Sequence, residues 1–166
     1  MNGSAGVTGR FSRIAAQLEA LIARVAGPVA HRATAAALLH HKVPRVSWTG
    51  FYMLSGGALV VDAYQGPLAC LVLEPPAGVC WEAVRRDEPV VVPDVAAFPG
   101  HVACDPRSRS ELVVPLHGPR GEVVGVLDVD SHELSRFGRE ELDGYLAVVR
   151  VLETALARGY NGAGGS

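Results

Sequence analysis

Lysine is nearly absent: of fifteen Lys and Arg residues only Lys42 is a lysine, and no basic run or stripe forms. With a formal net charge of −2, the chain lacks the electrostatic footprint of a nucleic-acid binder. No apolar run approaches the ~18 residues needed to span a membrane. The first ten residues, MNGSAGVTGR, have no apolar stretch and do not read as a signal peptide. The expected location is therefore the cytoplasm, where thiols are kept reduced. Cysteine is scarce as well. Three cysteines are too few, and odd in number, for a disulfide scaffold. No C-x-x-C occurs, which removes the zinc knuckle and the thioredoxin-type pair. Charged residues make up 19% and hydrophobic residues 49% of the chain, a balance that excludes disorder.

What is present reads as one domain. Phe11, Ile14, Ala15, Leu18, Leu21, Ile22 and Val25 recur at three- and four-residue steps, which predicts an amphipathic helix over 11–26. Gly27-Pro28 ends it, and an Ala-rich helix is expected over 29–41. Residues 46–54 and 58–64 flank Gly56-Gly57 as a hairpin. Short strands are expected at 70–73 and 89–92, with a brief helix after Gly78. Residues 96–110 show no periodicity, and a loop of that length in a small domain tends to be functional or disordered. A second hairpin covers 112–116 and 122–129, and a final helix runs over 139–157. The layout is α+β: a central antiparallel sheet with the N- and C-terminal helices packed on one face. Residues 11–158 form the domain, between a flexible N-terminus (1–10) and a flexible tail (159–166).

Along residues 122–130 (EVVGVLDVD), alternation puts Asp128 and Asp130 on one face with Val124 and Val126, and Val123, Leu127 and Val129 on the other. Either the strand emerges into solvent there, or the two carboxylates stand at the mouth of a pocket. In a pocket, repulsion and partial burial would raise at least one pKa. If the second hairpin forms, Glu111 joins them at the same end of the ladder. No metal-ligand spacing accompanies these acids, so an organic cation such as an amino group suits them better than a metal. Cys70 and Cys80 occupy apolar positions, where a cysteine is ordinarily a small buried residue. Cys104 instead lies in the polar loop, three residues after His101. An imidazolium or oriented amides there would favour its thiolate.

Several stretches resemble one family, the free methionine-(R)-sulfoxide reductases built on a single GAF domain. They are 48–52 (WTGFY), 65–70 (QGPLAC), 78–80 (GVC), 92–94 (VPD), 98–105 (FPGHVACD), 110–115 (SELVVP) and 125–131 (GVLDVDS). The resemblance implies that Cys104 is the catalytic thiol, Cys70 its resolving partner and Cys80 a second cysteine for disulfide exchange. It implies that Glu111, Asp128 and Asp130 contact the substrate's amino group and sulfoxide oxygen, and that Trp48 and Tyr52 wall the pocket. It further implies free methionine-(R)-sulfoxide as substrate, thioredoxin as electron donor, no metal, no organic cofactor and, often, a homodimer. Two departures stand out. Residues 74–79 (EPPAGV) replace the family's usual Pro-Phe-Gly-Arg-Gly-Val, and Trp81 stands where a glycine is usual, which leaves the part of Cys80 open. Two other readings share these residues: a GAF sensory module that binds a small ligand without turnover, and a redox-sensing thiol protein.

Overall fold

Period-two alternation in the strands and three- and four-residue steps in the helices sort the apolar side chains onto two faces of one sheet. The computed structural model describes residues 3–23 and 27–162, and side chains within 6–23 and 27–159. Its elements are α1 (Gly3–Ile22), α2 (Pro28–Lys42), β1 (Trp48–Ser55), β2 (Ala58–Gln65), β3 (Val72–Leu73), α3 (Val79–Arg86), β4 (Val90–Val92), β5 (Ser110–His117), β6 (Val123–Ser131) and α4 (Arg139–Gly162). The strands form one sheet in the order β3-β2-β1-β6-β5-β4, and every pairing is antiparallel.

On one face, α1, α2 and α4 cover Phe51, Leu112, Val114, Leu116, Leu127 and Val129 with Phe11, Ile14, Leu18, Leu39, Tyr145 and Leu152. Each such side chain contributes roughly 1.5–3 kcal/mol by leaving water. The opposite face carries Trp48, Tyr52, Val113 and Val126 beneath a thinner cover from α3 and the intervening loops. That thinner side holds the cavity described below. The α+β layout expected from the sequence is the one observed.

The differences have local causes. α1 starts at Gly3, so residues 3–10, expected to be flexible, are helical. Val7 packs on the helix-side core, and Phe11 lies so close to α4 that a Cβ on Gly144 would sit 2.2 Å from its ring. Tertiary packing outweighs the poor helix propensity of Gly3, Gly6 and Gly9. α4 likewise continues to Gly162, into the stretch expected to be a flexible tail. Val25 and Ala26, assigned by periodicity to the end of the first helix, lie outside the described residues, as do residues 163–166. Val124 does not share the face of Val126 but packs on the helix-side core. The register shifts beside it, with Leu116 opposite Gly125 but His117 opposite Val123, and such a bulge turns one side chain over.

Candidate active site

Sheet register assembles the site. Asp130 lies opposite Glu111 of β5 on one side and Trp48 of β1 on the other. Asp128, two pairs further along and on the same face, has Val113 and Gly50 as neighbours. Two adjacent cross-strand rows thus present three carboxylates and an indole on the thinly covered face. Cross-strand neighbours stand about 4.5–5.5 Å apart at Cβ, so like charges there are costly unless neutralised.

Gly50 is the gap that lets Trp48 fold over this surface. A Cβ at that position would fall 2.3 Å from Tyr64 Cβ and 2.6 Å from the Trp48 ring. Without it, the indole stacks between Tyr64, at 5.4 Å between ring centres, and Tyr52, at 5.7 Å. Gly50→Ala is expected to cost about 1–3 kcal/mol through overpacking and to displace the Trp48 indole. Thermal melts and tryptophan fluorescence check both effects.

Loops supply the thiols. Cys70, just before β3, is disulfide-bonded to Cys104 with 5.3 Å between Cα atoms. The Tyr52 hydroxyl donates a hydrogen bond to the Cys70 carbonyl at 3.0 Å, so the pocket wall also holds the segment that carries this cysteine. His101 places Nε2 3.4 Å from Glu111. Asp105 pairs with Arg107, at 3.0 Å, and with His132, at 3.1 Å. Hydrogen bonds from Arg107 hold its carboxyl below the usual carboxylate range. Cys80, in the first turn of α3, is buried and free. Trp81 beside it is buried too, its indole N–H donating to the Leu73 carbonyl at 2.8 Å. The large residue where the family usually has glycine therefore pins α3 to the end of β3.

These parts line one cavity of about 40 Å³, whose wall includes Trp48, Tyr52, Cys80, Cys104, Glu111, Asp128 and Asp130. All of the cysteines and carboxylates singled out in the sequence converge there, with Cys70 joined through its disulfide. No Lys or Arg is among the lining residues. Burial, followed by the charge of Asp130, lifts the Glu111 carboxyl to about 7 against the opposing pull of His101. Asp128 is pushed up by burial and by Glu111, and Asp130 by burial and by Asp128. Burial and the same carboxylates push the Cys80 thiol well up, so it stays S–H at neutral pH. Cys80, Glu111 and Asp128 each bring a potential metal-ligand atom within 4.8 Å of the others. An ammonium group would satisfy the same carboxylates without deprotonating the thiol.

Sequence reasoning misses one contributor and part of the role of two others. His101 stands near Cys104 in sequence, yet it pairs with Glu111. Ser108 is buried and hydrogen-bonds Asp130, a contact that loop sequence does not disclose. Trp48 was read only as a wall. Among the described residues, its indole Nε1 and Asp128 Oδ1 are two of the four buried side-chain polar atoms without a hydrogen-bond partner. Buried polar atoms are rarely left so, and these two belong to the same wall.

Comparisons with known proteins place the chain in a family. The family model described as GAF domain matches residues 32–156. Protein YtsP of Bacillus subtilis is 40% identical over 144 residues, covering 86% of this chain and 88% of its own. The free methionine-R-sulfoxide reductase of Escherichia coli is 39% identical over 138 residues, 83% of each chain. A crystal structure of the Neisseria meningitidis free methionine-R-sulfoxide reductase in complex with its substrate superposes with a TM-score of 0.86 at 35% identity, covering 92% of this chain and 91% of that one. The chain is a member of the GAF domain family. Within that family it belongs to the free methionine-R-sulfoxide reductases, which are oxidoreductases. Among the described residues no helix is long and apolar enough to cross a membrane.

Proposed function

We propose that this chain reduces free methionine-(R)-sulfoxide to methionine, with Cys104 as the attacking thiol, Cys70 as its resolving partner and thioredoxin as the electron donor. The observation that carries the reading is that Cys104, bonded to Cys70, lines the same cavity as the buried carboxyls of Glu111 and Asp128 and the half-buried one of Asp130. The Cys104 thiolate attacks the sulfoxide sulfur while a carboxylic acid protonates the oxygen. The hydroxyl then passes from the substrate sulfur to Cys104 Sγ. Its old S–O bond and the new S–S bond break, methionine leaves with the freed electron pair on its sulfur, and Cys104 is left as a sulfenic acid. Cys70 condenses with it, releasing water and forming the disulfide. Glu111, held near 7 by burial, is poised to give up that proton at neutral pH.

Recognition follows from the same groups. An ammonium ion answers the carboxylates, with Asp128 Oδ1 still unpaired. The Trp48 N–H, also unpaired, donates to a substrate oxygen, and the stacked faces of Trp48 and Tyr52 hold the apolar stem. α3 starts at Val79, Gly78 before it supplies no side-chain cap, and Gly78, Val79 and Cys80 line the cavity. The free amides of that first turn suit the substrate carboxylate. A peptide-bound residue would offer neither charge. The cavity in the disulfide form has room for about three waters and is too small for an amino acid, which fits the oxidised state that follows turnover.

The experiment is a substrate panel with dithiothreitol as reductant. Turnover of the free (R)-epimer is expected to exceed that of N-acetyl-methionine-(R)-sulfoxide by about 100-fold or more, the penalty for leaving buried charges unpaired. Equal rates on the free and N-acetylated forms would refute the role given to the carboxylates.

A further inference from the structure

Leu68, Leu71, Val72 and Val102 rank among the exposed large apolar side chains of the described residues, at 86, 72, 46 and 39% exposure. All four lie within two residues of one half of the disulfide. A lone exposed leucine needs no explanation, but four around one reducible bond mark a contact surface. Three of them bracket Cys70, in a stretch from residue 66 to 73 (GPLACLVL) that carries no charge. It ends in β3, an edge strand of the sheet. The surroundings of Cys104 are the reverse. Asp105 follows it directly, and Glu111, Asp128 and Asp130 share its cavity.

From this contrast we infer that residues 68–72 form the docking face for a protein dithiol and that the partner's thiolate attacks Sγ of Cys70, not of Cys104. The inference rests on the reductase reading above. An anionic nucleophile meets neutral apolar surface at Cys70, whereas at Cys104 it meets the ionised carboxylate of the adjoining Asp105. Its attack forms a sulfur–sulfur bond between the partner and Cys70 and breaks the Cys70–Cys104 bond. The displaced electron pair leaves on Cys104 Sγ as a thiolate. The partner's second thiolate then attacks its own sulfur in the mixed disulfide, which oxidises the partner and releases Cys70. Two electrons pass, and Cys104 regains its attacking form inside the cavity in the first of the two steps. Leu68, Leu71 and Val72 contribute by burying apolar area against the partner and excluding water around the exchanging sulfurs.

Thioredoxin is the probe, and its reduction of the preformed Cys70–Cys104 disulfide is followed in single-turnover mixing with no sulfoxide present. The Leu71→Ser, Val72→Ser double variant changes neither a cavity residue nor a cysteine. Its second-order rate of reduction by thioredoxin is expected to fall about 10-fold or more, as apolar contact is lost at an interface, with its rate of reduction by dithiothreitol unchanged. An unchanged thioredoxin rate overturns the docking face, as does an altered oligomeric mass with an unaltered rate, which would assign the face to a second copy of this chain. A thioredoxin lacking its second cysteine, quenched with iodoacetamide, should be found linked to Cys70 with Cys104 alkylated. A link to Cys104 overturns the assignment of the attacked sulfur. Failure of the reductase reading is scored separately, by absence of sulfoxide turnover with dithiothreitol.

Discussion

Replacing Cys104 with serine is expected to lower turnover of free methionine-(R)-sulfoxide by about a thousandfold or more, whichever reductant is supplied. A serine hydroxyl is not ionised near neutral pH, so the variant has no counterpart of the thiolate. Cys70→Ser should behave differently. Its first equivalent of methionine should form at a near-normal rate, and turnover should then stall at the sulfenic acid until an external thiol attacks. Cys80→Ser should turn over at a rate close to the unaltered chain. The Cys80 thiol is buried and free of the disulfide, its pKa is pushed well up by burial and by Asp128, and Trp81 anchors its helix to Leu73. Rapid-quench measurement of methionine across the three variants separates attack, resolution and bystander.

Glu111→Gln is expected to abolish most activity and at the same time stabilise the fold. Its carboxyl sits at about 7 in the folded chain against 4.5 as the ordinary value. A raised carboxyl pKa means that the folded chain holds a proton that the unfolded chain releases. The stability from that proton is complete below about 4.5 and is lost as pH rises through about 7. At pH 8 the ionised, buried Glu111 therefore costs on the order of 3 kcal/mol, a cost that glutamine does not carry. Melting temperature should rise by several degrees in the variant at pH 8 and match the parent near pH 4.5. kcat/KM should drop by about 10²–10⁴-fold, the usual contribution of a general acid. In the parent, kcat/KM should decline on the alkaline side of about pH 7 as the acid ionises. Equal melting curves at both pH values would contradict the assigned burial penalty. A site that destabilises its own fold fits the view that function draws on strained or unpaired groups.

Much of this site can be read along the chain because sheets are periodic. Asp128 and Asp130 share a face by alternation alone, and Glu111 reaches Asp130 once the second hairpin is recognised, since hairpin register fixes the pairing. The surroundings of Cys104 are legible as a polar loop without a repeat. The meeting of Cys70 with Cys104 is not legible from periodicity. It depends on the path of two irregular segments 34 positions apart in sequence, which no local pattern encodes. Val124 escaped because a bulge breaks the period that the reading relies on. Gly50 escaped because a close approach between Trp48 and Tyr64 leaves no trace beyond one small residue. Residues 3–10 looked too rich in glycine for a helix because propensity is local, whereas Val7 and Phe11 find their partners elsewhere in the fold. Cys80 reads correctly as buried, but its apolar sequence neighbours conceal the carboxylates that α3 brings it against on the sheet face.

The most direct test reacts fully reduced protein with one equivalent of free methionine-(R)-sulfoxide in the absence of any reductant. The expected result is one methionine per chain, the loss of two thiols, and a Cys70–Cys104 disulfide in the digest with Cys80 still alkylatable after unfolding. Methionine formed with all three thiols intact, or a disulfide that includes Cys80 in place of Cys70, would contradict it.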